Sequence, residues 1–275
     1  MHSRPPVHLA LDPQRIDVWC TFLADIDAAG LWRHYAALLD EAERRRGRAL
    51  RRPADRRRHV AARALVRTVL SRYRSSAPQD WRFIADAHGR PQLSPEHQWP
   101  ELQFNIAHTA GVVVLAVTAG AAVGVDVETP RRRTDTVALE RYFAPTERAA
   151  LEALPAAARR RRFFELWTLK EAYLKARGLG LRLPLAGFAF DFCAPARVQL
   201  QVTDACADTP QRWALAQLCL RGRYLLALCA ERRTPQPLAL ASYETVPLGE
   251  AQSKKAQVLR ALGFETLATQ SILAI

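Results

Sequence analysis

Between residues 56 and 74 (RRRHVAARALVRTVLSRYR) the apolar positions Val60, Ala64, Leu65, Val66 and Leu70 recur at helical spacing, which predicts an amphipathic helix. A strand-like segment, WRFIAD, follows at 81–86. Two further strands, LQFNIAH and GVVVLAVT, fill 102–118 around a Gly turn. The same order then recurs. Residues 162–177 (RFFELWTLKEAYLKAR) predict a second helix, stopped by Gly178 and Gly180 with Pro184 beyond. The strand-like FAFDF lies at 188–192, and WALAQLCL and YLLALCAE predict a hairpin over 213–231 around Arg221-Gly222-Arg223. The tail reads as an appended helix over 251–262.

A helix, a strand and a hairpin occurring twice in one order predict an α+β fold. Two similar α/β subdomains, joined near 119–124, would stand in a pseudo-twofold arrangement with the active site in the cleft between them. The expected divisions are an N-terminal subdomain at 1–120, a C-terminal subdomain at 121–245 and a C-terminal extension at 246–275.

Composition narrows the class. With 275 residues, 49% of them apolar, the chain can bury a real core, which excludes disorder and a disulfide-stapled miniprotein. Five cysteines (20, 193, 206, 219 and 229) form no CxxC pair and read as reduced, buried thiols of a cytoplasmic protein. The opening MHSRPPVHLALDP lacks the apolar core of a signal peptide. The longest apolar stretch, 110–125, is broken by Gly111, Gly120 and Gly124 and suits strands, so no membrane association is expected.

Forty Lys and Arg against 27 Asp and Glu give a net charge of +13, which favours anionic partners. Dense arginine runs stand at 44–46, 56–58, 131–133 and 159–162. No zinc finger, RRM consensus or basic zipper accompanies them, so nucleic acid is not the expected partner. The runs read first as solvated helix faces and turns. Only four of the cations are lysines, and two of these, Lys170 and Lys175, fall in one helix-like segment. Lysine can give up a proton at working pH and arginine cannot, which singles out this pair.

Four segments could carry chemistry. In Gly124-Val125-Asp126-Val127-Glu128, strand alternation puts both acids on one face and both valines on the other. Hard oxygen ligands so spaced suit Mg²⁺; the plainer alternative is an edge strand with two solvated acids. In Trp167-Thr-Leu-Lys170-Glu171-Ala-Tyr-Leu-Lys175, the residues Trp167, Glu171 and Lys175 stack at i, i+4 spacing; here the alternative is an ordinary Glu–Lys helix pair. Phe104-Asn105-Ile106-Ala107-His108-Thr109 ends a strand before a Gly turn, where His108 could donate to a phosphate or serve only the turn. His88-Gly89-Arg90-Pro91 is a turn signal whose Arg projects from a constrained loop.

In combination, FNIAHT at 104–109, GVDVE at 124–128 and WTLKEAYLKARGLGL at 167–181 resemble, in order and spacing, the three signature motifs of the 4′-phosphopantetheinyl transferases. The longer, monomeric Sfp-type (surfactin-type) class fits best. The match covers roughly residues 15–245, with GRP at 89–91 and ARALVRTVLSR at 62–72 resembling a turn and a first-half helix of that class. The resemblance implies transfer of phosphopantetheine from coenzyme A to a serine of an acidic apo carrier protein, with release of adenosine 3′,5′-bisphosphate. It implies Asp126, Glu128 and Glu171 as ligands of Mg²⁺, with Mn²⁺ as its substitute, and Glu171 and Lys175 as catalytic groups. It implies coenzyme A contacts from Arg46, Arg63, His88, Gly89, Arg90, Pro91, Asn105, His108 and Thr109. Two positions depart from the pattern: Ala107 replaces a common Ser, and His59 stands where some members have Thr near a nucleotide phosphate.

Two rival readings stand beside this one, the first built on the same three carboxylates. A Mg²⁺-dependent phosphohydrolase or nuclease would use water as nucleophile and need no protein acceptor. A non-enzymatic nucleic-acid-binding protein would use the arginine runs and survive loss of Asp126 and Glu171. Neither explains why three motifs occur in this order.

Overall fold

The computed structural model describes residues 8–86, 89–131, 136, 141–194, 196–249, 251–254 and 256–266. These divide into two compact units. One holds the described residues up to Gly120 and those from 241 to 254; the other holds Ala121–Leu240 and Ala256–Thr266.

The first unit begins with strand β1 (Arg15–Phe22) and three short helices, α1 (Leu23–Ala29), α2 (Trp32–Leu38) and α3 (Glu41–Ala49). The start of α3 is held by a capping box. Asp40 Oδ1 accepts from the Glu43 amide at 2.9 Å, and Glu43 Oε2 accepts from the Asp40 amide at 3.1 Å. The expected helix at 56–74 is α4 (Pro53–Leu70), which starts earlier because Pro53 at its first turn needs no amide partner. It buries Ala61, Ala64, Leu65 and Val69 in a core with Trp19, Phe104, Leu115 and Val117. Next come β2 (Phe83–Ala85) and β3 (Pro91–Leu93), which pair with each other, then the hairpin β4 (Leu102–Thr109) and β5 (Val112–Ala119).

The second unit repeats this order. A strand, β6 (Val123–Glu128), precedes α5 (Pro145–Glu152) and the long α6 (Ala156–Arg177). Two hairpins follow: β7 (Phe188–Ala194) with β8 (Arg197–Val202), and β9 (Trp213–Leu220) with β10 (Tyr224–Glu231). In each unit the leading strand pairs antiparallel with the last strand of the second hairpin, β1 with β5 and β6 with β10. The duplication expected from element order is therefore a duplication of strand topology within each unit. Helix α6 starts at Ala156, not 162, so the arginine run 159–162 lies inside its first turns.

The tail departs from expectation. Residues 251–262 are not a helix. They form β12 (Ala251–Ser253), paired with β11 (Leu238–Thr245), and β13 (Gln257–Leu262), paired with both β9 and β8. A last strand, β14 (Phe264–Thr266), runs parallel to the start of β11. Ala, Gln, Lys, Leu and Arg favour a helix intrinsically. The open ladder positions between β8 and β9 are worth more than that preference. The sheet of the second unit runs β6-β10-β9-β13-β8-β7, so β13, from the residues expected as a separate extension, is an interior strand of it, while β12 joins the sheet of the first unit.

Arginine and lysine are not all on the surface. Arg67 of α4 is fully buried, donating to Glu43 Oε2 at 2.7 Å and to the Trp81 carbonyl at 2.7 Å. Lys170 of α6 is fully buried as well. Its three donors are used: Nζ lies 2.7 Å from Glu147 Oε2 and bonds the carbonyls of Leu185 at 2.7 Å and Phe188 at 2.6 Å. Glu147 Oε1 accepts from the Phe190 amide at 2.9 Å. Burial lowers the Lys170 pKa and raises that of Glu147, each opposed by the other's charge. Lys170→Met should cost about 3–5 kcal/mol in urea unfolding, because it strands a buried carboxylate. The double variant Lys170→Met/Glu147→Leu should recover much of that loss. Wild-type stability in the single variant would show that the pair holds nothing.

Candidate active site

The acid cluster lies in the second unit. Gly124, Asp126 and Glu128 pair with Cys229, Ala227 and Leu225 of β10, three members of the core that α6 also enters. These alternate residues therefore face α6. Gly124 makes the approach close: a Cβ built there would stand 2.0 Å from the Ala172 carbonyl oxygen and 2.4 Å from the Ala176 amide nitrogen. Strand backbone thus meets helix backbone. One strand repeat further on, Asp126 Oδ1 accepts from Lys175 Nζ at 2.6 Å, and the Val125 carbonyl accepts from the same ammonium at 3.2 Å.

Trp167, Glu171 and Lys175 form the half-buried stripe of α6, as their spacing predicts. Asp126 and Glu128 are 8% and 6% exposed, so the solvated-acid alternative does not hold. Burial raises the pKa of Glu171, and the negative charges of Asp126 and Glu128 add to this against Lys175. The three carboxyls are thus electrostatic neighbours.

They suit a hard divalent cation by donor chemistry. Asp126 Oδ2 is buried with no hydrogen-bond partner, an open oxygen in a site crowded with like charge. Among the described residues no three acid, His or Cys side chains close a coordination sphere by themselves. Mg²⁺ does not require one, since it is ordinarily held by one or two carboxylates together with water and substrate phosphate. The residues present fit the ion.

A cavity of mixed charge lies in the first unit. Arg46, His59, Arg63, Gly89 and Pro91, together with the acids Asp40 and Glu43, line a hollow of about 240 Å³ between α3, α4 and the β2–β3 hairpin. The buried Nε of Arg63 has no hydrogen bond; its nearest acid is Glu43 Oε1 at 3.7 Å. Burial, and then the balance of Glu43 against Arg46 and Arg67, lowers its pKa, so an entering anion would relieve it. Arg90 fixes the hairpin instead of lining this hollow. Its amide donates to Asp86 Oδ1 and its Nη2 to the Phe104 carbonyl, both at 2.9 Å.

The remaining sequence-expected contacts are placed less uniformly. His88 lies outside the described residues. His108 is exposed on β4, on the face of Phe104 and Ile106. Asn105 and Thr109 are buried and alternate onto the opposite face, so the structure does not bring them to His108. Glu43 was not expected at the site, although the Asp40-x-x-Glu43 box is legible in sequence. His59 lines the cavity as well, and its i, i+4 spacing to Arg63 puts both on one helix face.

Residues 122–229 match the family model of the 4′-phosphopantetheinyl transferase superfamily, and residues 28–120 that of the 4′-phosphopantetheinyl transferase N-terminal region. The chain is 32% identical over 185 residues to 4′-phosphopantetheinyl transferase HetI of Nostoc sp. (strain PCC 7120), covering 66% of this chain and 74% of that one. It is 35% identical over 149 residues to the putative 4′-phosphopantetheinyl transferase slr0495 of Synechocystis sp. (strain PCC 6803), covering 54% and 60%. To 4′-phosphopantetheinyl transferase Sfp of Bacillus subtilis (strain 168) it is 29% identical over 184 residues, covering 66% and 77%. With both halves matched in order, and relatives of one kind spanning most of their own lengths, the chain belongs to the 4′-phosphopantetheinyl transferase superfamily, in its Sfp-type branch.

Proposed function

We infer that the protein moves the 4′-phosphopantetheine arm of coenzyme A onto a serine hydroxyl of an apo carrier protein and releases adenosine 3′,5′-bisphosphate. The observation that carries this is the contact between the strand motif and the helix motif, Asp126 Oδ1 to Lys175 Nζ at 2.6 Å, which puts acids and a proton-bearing group in one place.

Asp126, Glu128 and Glu171 would hold Mg²⁺, which when bound offsets the charge of the pyrophosphate being broken. Glu171 would accept the serine proton, an assistance typically worth about 10²–10⁴-fold. Lys175, one helical turn on, gives a proton to the departing bisphosphate and shields the attacking oxygen from its charge. Arg46 and Arg63 hold a phosphate of the nucleotide as charge-assisted donors. The +13 charge suits acidic carrier proteins, whose encounter it would speed at low salt. No helix among the described residues is long and apolar enough to cross a membrane. As a coenzyme A-dependent transferase the protein would act as a monomer in the cytoplasm, where coenzyme A and apo carriers meet.

The test is incubation with coenzyme A, Mg²⁺ and a panel of apo carrier proteins, followed by mass spectrometry. A phosphopantetheine adduct on the carrier serine is expected, and chelation of the divalent ion should abolish it. Hydrolysis of coenzyme A without an acceptor, and no adduct on any carrier, would favour the phosphohydrolase reading.

A further inference from the structure

We propose that His59 is the residue by which the cavity between α3, α4 and the β2–β3 hairpin tells a phosphate monoester from a diester, taking a proton at Nδ1 when the doubly charged group enters. This rests on the reading above, in which that cavity receives a phosphate of coenzyme A. Only the ribose phosphate of coenzyme A is a monoester, and only a monoester can carry two negative charges near neutral pH.

The geometry of the ring decides which nitrogen is available. His59 Nε2 lies 2.9 Å from the Glu43 carbonyl oxygen. A carbonyl only accepts, so Nε2 carries the hydrogen and the neutral ring has its lone pair on Nδ1. The Cδ2–Nε2 edge packs on α3: a Cβ at Gly47 would stand 3.1 Å from Cδ2 and 3.6 Å from Nε2. Nδ1 is the vertex across the ring from that edge, and the ring lines the cavity. A bare Nδ1 repels a phosphate oxygen, whereas a protonated Nδ1 donates to it.

Burial of the ring disfavours its protonation before the anion arrives. Burial lowers the His59 pKa, and Arg63 and Arg46 lower it further against the pull of Glu43. Arg63 is one turn along the same helix; Glu43 and Arg46 face it from α3, with Asp40 on the same wall. The described residues that the β2–β3 hairpin contributes to the wall carry no charge. A dianion placed among these groups offsets both arginines and favours a proton from solvent on Nδ1, and that proton returns to solvent when the nucleotide leaves. By linkage, binding that takes up a proton tightens as pH falls.

Titration calorimetry in buffers of different ionisation enthalpy reads this directly, with coenzyme A and dephospho-coenzyme A as probes at pH 7.5. Coenzyme A should bind with uptake of a fraction of a proton approaching one, and should tighten by up to about tenfold per pH unit from pH 8 to 6.5. Dephospho-coenzyme A should show almost no uptake. His59→Gln should still bind coenzyme A, without the uptake and with severalfold less discrimination between the two probes. Coenzyme A bound by the wild type without uptake, or uptake unchanged in His59→Gln, would overturn the proposal while leaving the transferase reading intact. The wild-type comparison of the two probes stands even if the variant folds poorly. No binding of coenzyme A at all would overturn both.

Discussion

Gly124→Ala is expected to unfold the second unit or to leave it folded without activity. The new methyl group would lie 2.0 Å from a carbonyl oxygen and 2.4 Å from an amide nitrogen, both belonging to the backbone of α6. A flexible side chain could swing away; a helix backbone in its hydrogen-bond ladder cannot. The strand must therefore retreat from the helix by more than an ångström. Overpacking of side chains costs about 1–3 kcal/mol, and a clash of backbone with backbone should reach or pass the upper figure. The Lys175–Asp126 contact is set by this approach, so transfer should be lost even where the chain still folds. Thermal unfolding and carrier modification measured on one preparation would check it. A variant with wild-type melting temperature and rate would mean that β6 and α6 are not held so close in solution.

That contact shows what the chain's one-dimensional pattern could and could not disclose. The alternation in Gly124-Val125-Asp126-Val127-Glu128 was enough to put both acids on one face. It could not say that the face is buried, because the cover is a helix whose facing residues, Ala172 and Ala176, lie far along the chain. In α6 the i, i+4 rule identified the stripe of Trp167, Glu171 and Lys175. Lys170 precedes Glu171 by one residue, about 100° round the helix, and this turn of angle takes it from the half-exposed stripe into the core. Spacing supplies angles; which angle points inward depends on neighbours. Arg67 was hidden for a related reason, since a guanidinium becomes a core residue only where Glu43 and several carbonyls converge on it. The tail failed in the other direction: helix formers at 257–262 took strand positions where β8 and β9 offered backbone partners, and those at 251–253 paired with β11.

Asp126→Asn should separate the chemistry of the site from its architecture. The substitution is nearly isosteric, and the amide oxygen can still accept from Lys175 Nζ where Oδ1 does at 2.6 Å. One negative charge leaves a cluster in which Glu171 already feels both neighbours, and the buried Oδ2, which has no partner, is replaced by an amide group. The melting temperature should therefore hold or rise slightly. The carrier-modification rate should fall by about 10²–10⁴-fold, the rate equivalent of several kcal/mol of lost charge stabilisation at the phosphoryl centre. Divalent-ion affinity, read by titration of the variant with Mg²⁺ or Mn²⁺, should weaken in parallel. A rate within a fewfold of wild type would remove Asp126 from the ion's coordination and leave it as a structural partner of Lys175. A collapse of melting temperature together with rate would assign the carboxylate to the fold and not to the reaction. Only a stable protein with a large loss of rate places the acid at the reacting phosphate.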